Sequence, residues 1–208
     1  ENVRAVYKPR VIGVLTTCLA ETIGEDIGRI TARYLQEKKL SDLTIVNLPT
    51  PGYGGSHSEG YWATVRKIIS SLASDPSGHS KINVIVPHIS AADLREIKRF
   101  LQVMGIDYVL VPDYADTLDA PYCNPYKKIP DGGTKIEDIQ RMPGAPATLE
   151  IGVTVDDHHS AGKFLEEEYG VPLYRVPLPV GVESTDQFFH TLKQISGKEI
   201  PEEIKQER

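Results

Sequence analysis

Val11-Ile12-Gly13-Val14-Leu15-Thr16-Thr17-Cys18 runs directly into Leu19-Ala20-Glu21-Thr22-Ile23-Gly24-Glu25-Asp26-Ile27, and the fold turns on how this stretch is read. Its first half is an apolar run of strand formers, long enough for a buried strand and far too short for a membrane span. Its second half changes period. Ile23, Ile27, Ile30 and Tyr34 recur at helical spacing, with Glu25, Asp26 and Arg29 on the opposite face. Cys18 therefore sits where a strand ends and a helix begins. Two readings of it are open. Free cysteine is among the most buried residue types, which makes Cys18 a small core residue. A thiol beyond a strand's carboxyl end and near a helix N-terminus is instead where open α/β sheets bind ligands and where the metal-ligating thiolate is favoured.

The same alternation continues outward. Residues 43–48 read as a second strand, and Thr50-Pro51-Gly52-Tyr53-Gly54-Gly55-Ser56-His57 follows with three glycines in four positions. This is either a flexible turn or a site loop at a strand's carboxyl end. Tyr61, Val65, Ile68, Ile69 and Leu72 then recur at helical spacing, which favours the site loop. Neither GxGxxG nor GxxxxGK[ST] is present, so the loop carries no phosphate-binding fingerprint.

Residues 74–80 have the composition of a linker. Further strands are expected at 82–86, 106–111, 148–155 and 173–176, separated by helices. One helix is capped by Ser90 and closed by Gly105, and another runs to Gly170. A short helix is expected to start with a Thr134–Glu137 capping box. A last one is expected to start with Ser184 and Gln187 and to stop at Gly197. Residues 4–10 read as a polar lead-in. The pattern predicts an α/β protein: three-layer αβα, with Rossmann-like, mostly parallel sheets.

Asp156-Asp157-His158-His159 invites a metal reading, but adjacent histidines in a helix point about 100° apart and do not converge on one ion. The two aspartates suit helix capping instead. Cys123, between prolines in the long loop of residues 113–130, has no partner nearby in sequence and reads as structural or incidental.

Composition removes several classes. The 208 residues carry a formal charge of −6 and give no basic footprint for nucleic acid. No apolar run reaches membrane-span length, and two cysteines are too few for a disulfide framework, so a cytoplasmic protein is expected.

Taken together, several stretches resemble the nitrogenase component 1 superfamily, most closely its β-type chains from molybdenum–iron or vanadium–iron proteins. Thr16-Thr17-Cys18-Leu19-Ala20-Glu21-Thr22-Ile23-Gly24-Glu25-Asp26 is similar to the segment that carries a P-cluster cysteine in those chains. Thr50-Pro51 with Gly55-Ser56-His57 and Gly60-Tyr61, then Gly132-Gly133-Thr134, residues 177–181 and residues 195–201, match in order and spacing.

The resemblance implies a β-type subunit of a nitrogenase or nitrogenase-like reductase. Cys18 would ligate an interfacial iron–sulfur cluster, P-cluster-like, relaying electrons from an ATP-dependent Fe protein to a cofactor in a homologous α-type partner. Dinitrogen reduction would be the family reaction, in an α2β2 assembly. Glu21, Thr22, Ile23, Gly24, Glu25 and Asp26 would lie on the surface where the Fe protein docks. Gly52 departs from the family, whose β chains carry there a serine able to ligate the oxidised cluster. The alternatives are a scaffold for cofactor assembly and a reductase of another substrate in the same superfamily. A cubane needs about four cysteine ligands and only Cys18 is well placed. The chain is therefore expected to be a middle fragment, without a cluster or catalysis of its own. Its parts would be residues 1–78 of a first α/β domain bearing the cysteine motif, a second Rossmann-like domain at 79–180, and C-terminal helices at 181–208 leading toward a missing domain.

Overall fold

A computed structural model describes residues 1–207. The first strand, β1 (Val11–Thr16), follows a short helix α1 (Asn2–Tyr7) that forms where a polar lead-in is expected. It pairs in parallel with β2 (Thr44–Pro49), from Val11 opposite Thr44 to Thr16 opposite Pro49. Between them the chain makes two helices, α2 (Cys18–Thr22) and α3 (Ile27–Glu37), where sequence spacing suggests one. The division has a local cause. Gly24 takes φ +72°, a conformation open to glycine and closed to helix, and the Asp26 side chain then accepts the Arg29 N–H at 2.9 Å to start α3 afresh.

The second sheet holds four parallel strands in the order β4-β3-β5-β6: β3 (Ile82–Ile85), β4 (Tyr108–Val111), β5 (Thr148–Ile151) and β6 (Leu173–Val176). Six helices accompany it: α4 (His57–Leu72), α5 (Ala91–Val103), α6 (Ile136–Gln140), α7 (Ala161–Tyr169), α8 (Val182–Ser196) and α9 (Glu202–Glu207). Successive strand residues face opposite ways and so divide the core in two. Val84, Leu110, Leu149, Ile151 and Val176 pack with Leu94 and Leu101 of α5, with Phe188 and Leu192 of α8, and with Ile204 of α9. Ile85, Val109 and Val111 pack on the other side with Trp62 and Ile69 of α4, Ile139 of α6 and Leu165 of α7. Helices thus cover both faces of a parallel sheet, the three-layer αβα arrangement expected from the sequence.

Packing continues across residue 78, because α4 contributes Trp62, Val65, Ile69 and Leu72 to the core of the four-stranded sheet. Two caps differ from expectation. Lys135 and Gly181, not Thr134 and Ser184, precede α6 and α8, and neither helix has a side-chain cap. Thr134 instead donates to the Leu110 carbonyl and accepts the Asp113 N–H at 3.0 Å, which ties the end of the long 113–133 loop to β4. Cys123 is exposed there, its thiol against the Pro121 carbonyl.

The linker composition of residues 74–80 also conceals an ordered segment. The Ser74 and Asp75 N–H groups donate to the Gln140 carbonyl at 3.0 and 2.8 Å, and the His79 N–H donates to Gly144 at 3.1 Å. Gly144 permits this approach, since a Cβ built there would lie 2.1 Å from the Ser77 carbonyl oxygen. Gly144→Ala is expected to lower stability by about 1–3 kcal/mol through overpacking against backbone. Gly78→Ala, with open space around it, should stay within about 0.5 kcal/mol. Urea unfolding of the two variants checks this, and equal midpoints would contradict it.

Candidate functional site

All six strands are parallel to their neighbours, so within each sheet the carboxyl ends lie on one side, where ligands of open α/β folds bind. Cys18 occupies that position as the first residue of α2, and it is exposed, which removes the reading as a core residue. Its location is set by short-range bonds. The Thr16 hydroxyl donates to the Glu21 carboxylate, and the Thr22 hydroxyl donates to the Cys18 carbonyl at 2.7 Å. The neighbouring strand end is locked on by Thr50, whose N–H and hydroxyl both reach the Thr16 carbonyl, at 3.0 and 2.9 Å.

That lock brings the glycine-rich loop to the thiol. The Gly52 N–H donates to Cys18 Sγ at 3.1 Å, and a Cβ at Gly52 would meet the sulfur at 3.5 Å, an ordinary contact. Two residues 34 positions apart, singled out separately by the sequence, are therefore neighbours. The loop is no loose turn. Its exit is a complete capping box in which Ser56 accepts the Glu59 N–H at 3.2 Å and the Glu59 carboxylate accepts the Ser56 N–H at 2.5 Å. The backbone and side-chain bonds from Ser56 hold the Glu59 carboxyl below its ordinary value of 4.5.

Beside the thiol, an open cleft of about 620 Å³ runs between this loop and the turn after β5, with Leu15, Gly52, His57, Glu59, Tyr61 and His159 in its walls. His88, after β3, stacks edge-on to His57 with centroids 5.7 Å apart. The Tyr61 hydroxyl donates to the Val86 carbonyl at 2.8 Å, and burial pushes its pKa up. The sheet sets where two of these histidines sit. Its order reverses between β3 and β5, and His88 and His159 lie on the loops that leave those two strands.

Asp156-Asp157-His158-His159 makes no metal constellation, and the described residues contain no group of three or more His, Cys, Asp or Glu side chains placed to hold an ion. Asp156 accepts the His159 N–H at 2.9 Å and contacts His159 Nδ1, a contact that lowers the Asp156 pKa. The cap of α7 is Ser160, not either aspartate, accepting the Lys163 N–H at 2.9 Å. Of the segment from Glu21 to Asp26, Glu21 is half-buried and Thr22, Ile23, Gly24, Glu25 and Asp26 are exposed. Leu15, Leu19 and Ile23, close to Cys18 in the chain, and Tyr53, next to Gly52, are exposed apolar side chains, and α3 buries none of its residues. Sequence reasoning missed the fully buried Glu150. The signal was a lone carboxylate in the middle of a strand that is otherwise apolar or hydroxyl-bearing.

The architecture defines a parallel α/β chain that presents an exposed thiol at a strand's carboxyl end. It belongs to the family of nitrogenase component 1 type oxidoreductases, which matches residues 1–208. It is 37% identical over its whole length to a nitrogenase molybdenum-iron protein beta chain of Clostridium pasteurianum, covering 45% of that protein. It is 33% identical over 96% of its length to a nitrogenase vanadium-iron protein beta chain of Trichormus variabilis, covering 43% of it. A solved structure titled nitrogenase Cp1 at pH 6.5 superposes with a TM-score of 0.93 at 36% identity, over 99% of this chain and 45% of that one. The chain thus spans a little under half the length of these relatives. No helix among the described residues is long and apolar enough to cross a membrane.

A carboxyl whose pKa is lowered on folding stabilises fully above its unfolded value, and the contribution is lost as the pH falls through the lowered folded value. Below pH 4.5, amide exchange at residues 56–60, corrected for intrinsic rate, is therefore expected to accelerate in the wild type. Glu59→Gln should show no such step, and matching profiles would contradict the assignment.

Proposed function

We propose that the chain is a β-type subunit segment of a nitrogenase or nitrogenase-like reductase, and that Cys18 supplies one ligand to an iron–sulfur cluster at its face with an α-type partner. The observation that carries this reading is the exposed Cys18 thiol at a strand's carboxyl end, with the exposed apolar Leu15 and Leu19 close to it in the chain. A buried cysteine would suit the core; this one is presented outward. The donor set fits a shared cluster better than a private one, because one thiol cannot complete a cubane and the remaining ligands must come from other segments or chains. When bound, such a cluster supplies one-electron transfer from an Fe protein toward a cofactor in the partner, in an α2β2 cytoplasmic assembly, with dinitrogen reduction as the family reaction.

The chain's own contribution is positional. Thr16, Thr50 and Glu21 hold the thiol at the strand end, and the Gly52 N–H gives its sulfur a hydrogen bond of the kind that tunes cluster potentials. Residues 21–26 present a surface for the Fe protein, on which Gly24 and Asp26 fix the bend between α2 and α3. Leu15, Leu19 and Ile30 are exposed apolar side chains for the α-type partner to cover. The relatives named above are β chains of nitrogenase proteins, which supports this reading over an assembly scaffold.

The test uses the whole protein, co-expressed with its α-type partner under anaerobic conditions. Cys18→Ala is expected to lose or alter the iron–sulfur EPR signal and to lower bound iron and sulfide, while unchanged values in an assembled complex would overturn the ligand role. Gly52→Ser places a hydroxyl beside the sulfur without a clash. It is expected to shift the midpoint potential of the oxidised cluster, and an unmoved potential would remove Gly52 from the site.

A further inference from the structure

Glu150 lies on β5, whose alternation sends Leu149 and Ile151 into the core beneath α5 and α8 and turns Glu150 toward α7. It is fully buried, a position where a carboxylate persists only when its oxygens are satisfied. They are. The carboxylate accepts from the Ser160 hydroxyl at 2.6 Å, the Gly162 N–H at 3.0 Å and Arg175 Nε at 3.1 Å.

Its partners all bear on one segment. Arg175 also pairs with Asp157 at 2.8 Å, and Arg66 of α4 donates to the Asp157 and Ser160 carbonyls at 3.2 and 2.9 Å. Asp157 and Ser160 bracket His158 and His159. His159 is fixed further by Asp156, which holds its N–H and its Nδ1. The turn from β5 to α7 is thus pinned at both ends by buried or half-buried charge, and it delivers one imidazole to the cleft that His57 and Glu59 also line. Capping α7 alone would need only Ser160.

We propose that Glu150 is a positioning residue: through Ser160 and the Arg175–Asp157 pair it holds residues 156–160 so that His159 forms a fixed wall of the cleft beside Cys18. This goes beyond the electron-relay reading and is independent of it, since the turn is held by this chain's own contacts whatever occupies the cleft.

Hydrogen–deuterium exchange and diethyl pyrocarbonate labelling of the whole protein test it. In Glu150→Gln the carboxamide still accepts a hydrogen bond but turns an N–H toward Arg175. Amides 157–160 are expected to exchange about tenfold faster while those of β3 and β4 keep wild-type protection. Labelling of His159 should rise severalfold, with His190 on α8 unchanged as the internal control. A merely structural role would raise exchange across the sheet and leave the ratio of His159 to His190 labelling unmoved. If Glu150→Gln does not fold, Asp157→Asn, which alters only the exposed end of the network, is expected to speed the same amides about threefold. Unchanged exchange at 157–160 in a folded variant, or faster exchange with His159 labelled at the wild-type rate, would overturn the proposal.

Discussion

The bond on which the rest depends is the register between β1 and β2, because it alone brings Gly52 to Cys18. Thr16 stands opposite Pro49, and the Thr16 carbonyl then takes both donors of Thr50. A slip of one residue would turn each side chain of the strand to the other face and carry the glycine loop away from the sulfur. The approach of the loop to the thiol is a consequence of that one alignment. In a parallel pair the loops leave on the same side, so the geometry needs no further device.

The two sheets differ in how they are supported. The four-stranded sheet is covered on both faces and contains the largest buried side chains, among them Phe188, Ile69 and Leu94. The β1–β2 pair has α3 lying on β2 but buries little, leaving Leu15 and Ile30 in solvent. A two-strand unit is marginal without a hydrophobic cover. Its link to the second sheet runs through α4, which touches β2 on one side and packs its apolar face into the core of the four-stranded sheet on the other.

Strand and helix order was legible in the sequence because the strands are short apolar runs, such as Ile82 to Val86, and the helices keep a period of 3.6, as in Leu94, Ile97 and Leu101. Cys18 and Gly52 were legible as motif residues, although their contact was not, since it depends on a pairing register between strands 30 residues apart. What escaped was decided by tertiary bonds. Thr134 reads as a cap but is claimed by the Leu110 carbonyl. Residues 74–80 read as a linker but are held by the carbonyls of Gln140 and Gly144, about 65 residues later. Glu150 escaped because a lone charge in a strand shows its role only when Arg175 and Ser160 are seen around it.

The central claim is that Cys18 binds iron at a face shared with another polypeptide. A crystal structure of the whole protein, isolated anaerobically with its α-type partner and measured with anomalous scattering at the iron edge, tests it most directly. The account predicts an iron peak at bonding distance from Cys18 Sγ, with Leu19 covered by the partner. An assembled complex with no iron near Cys18, its thiol bonded only to the Gly52 N–H, would contradict it.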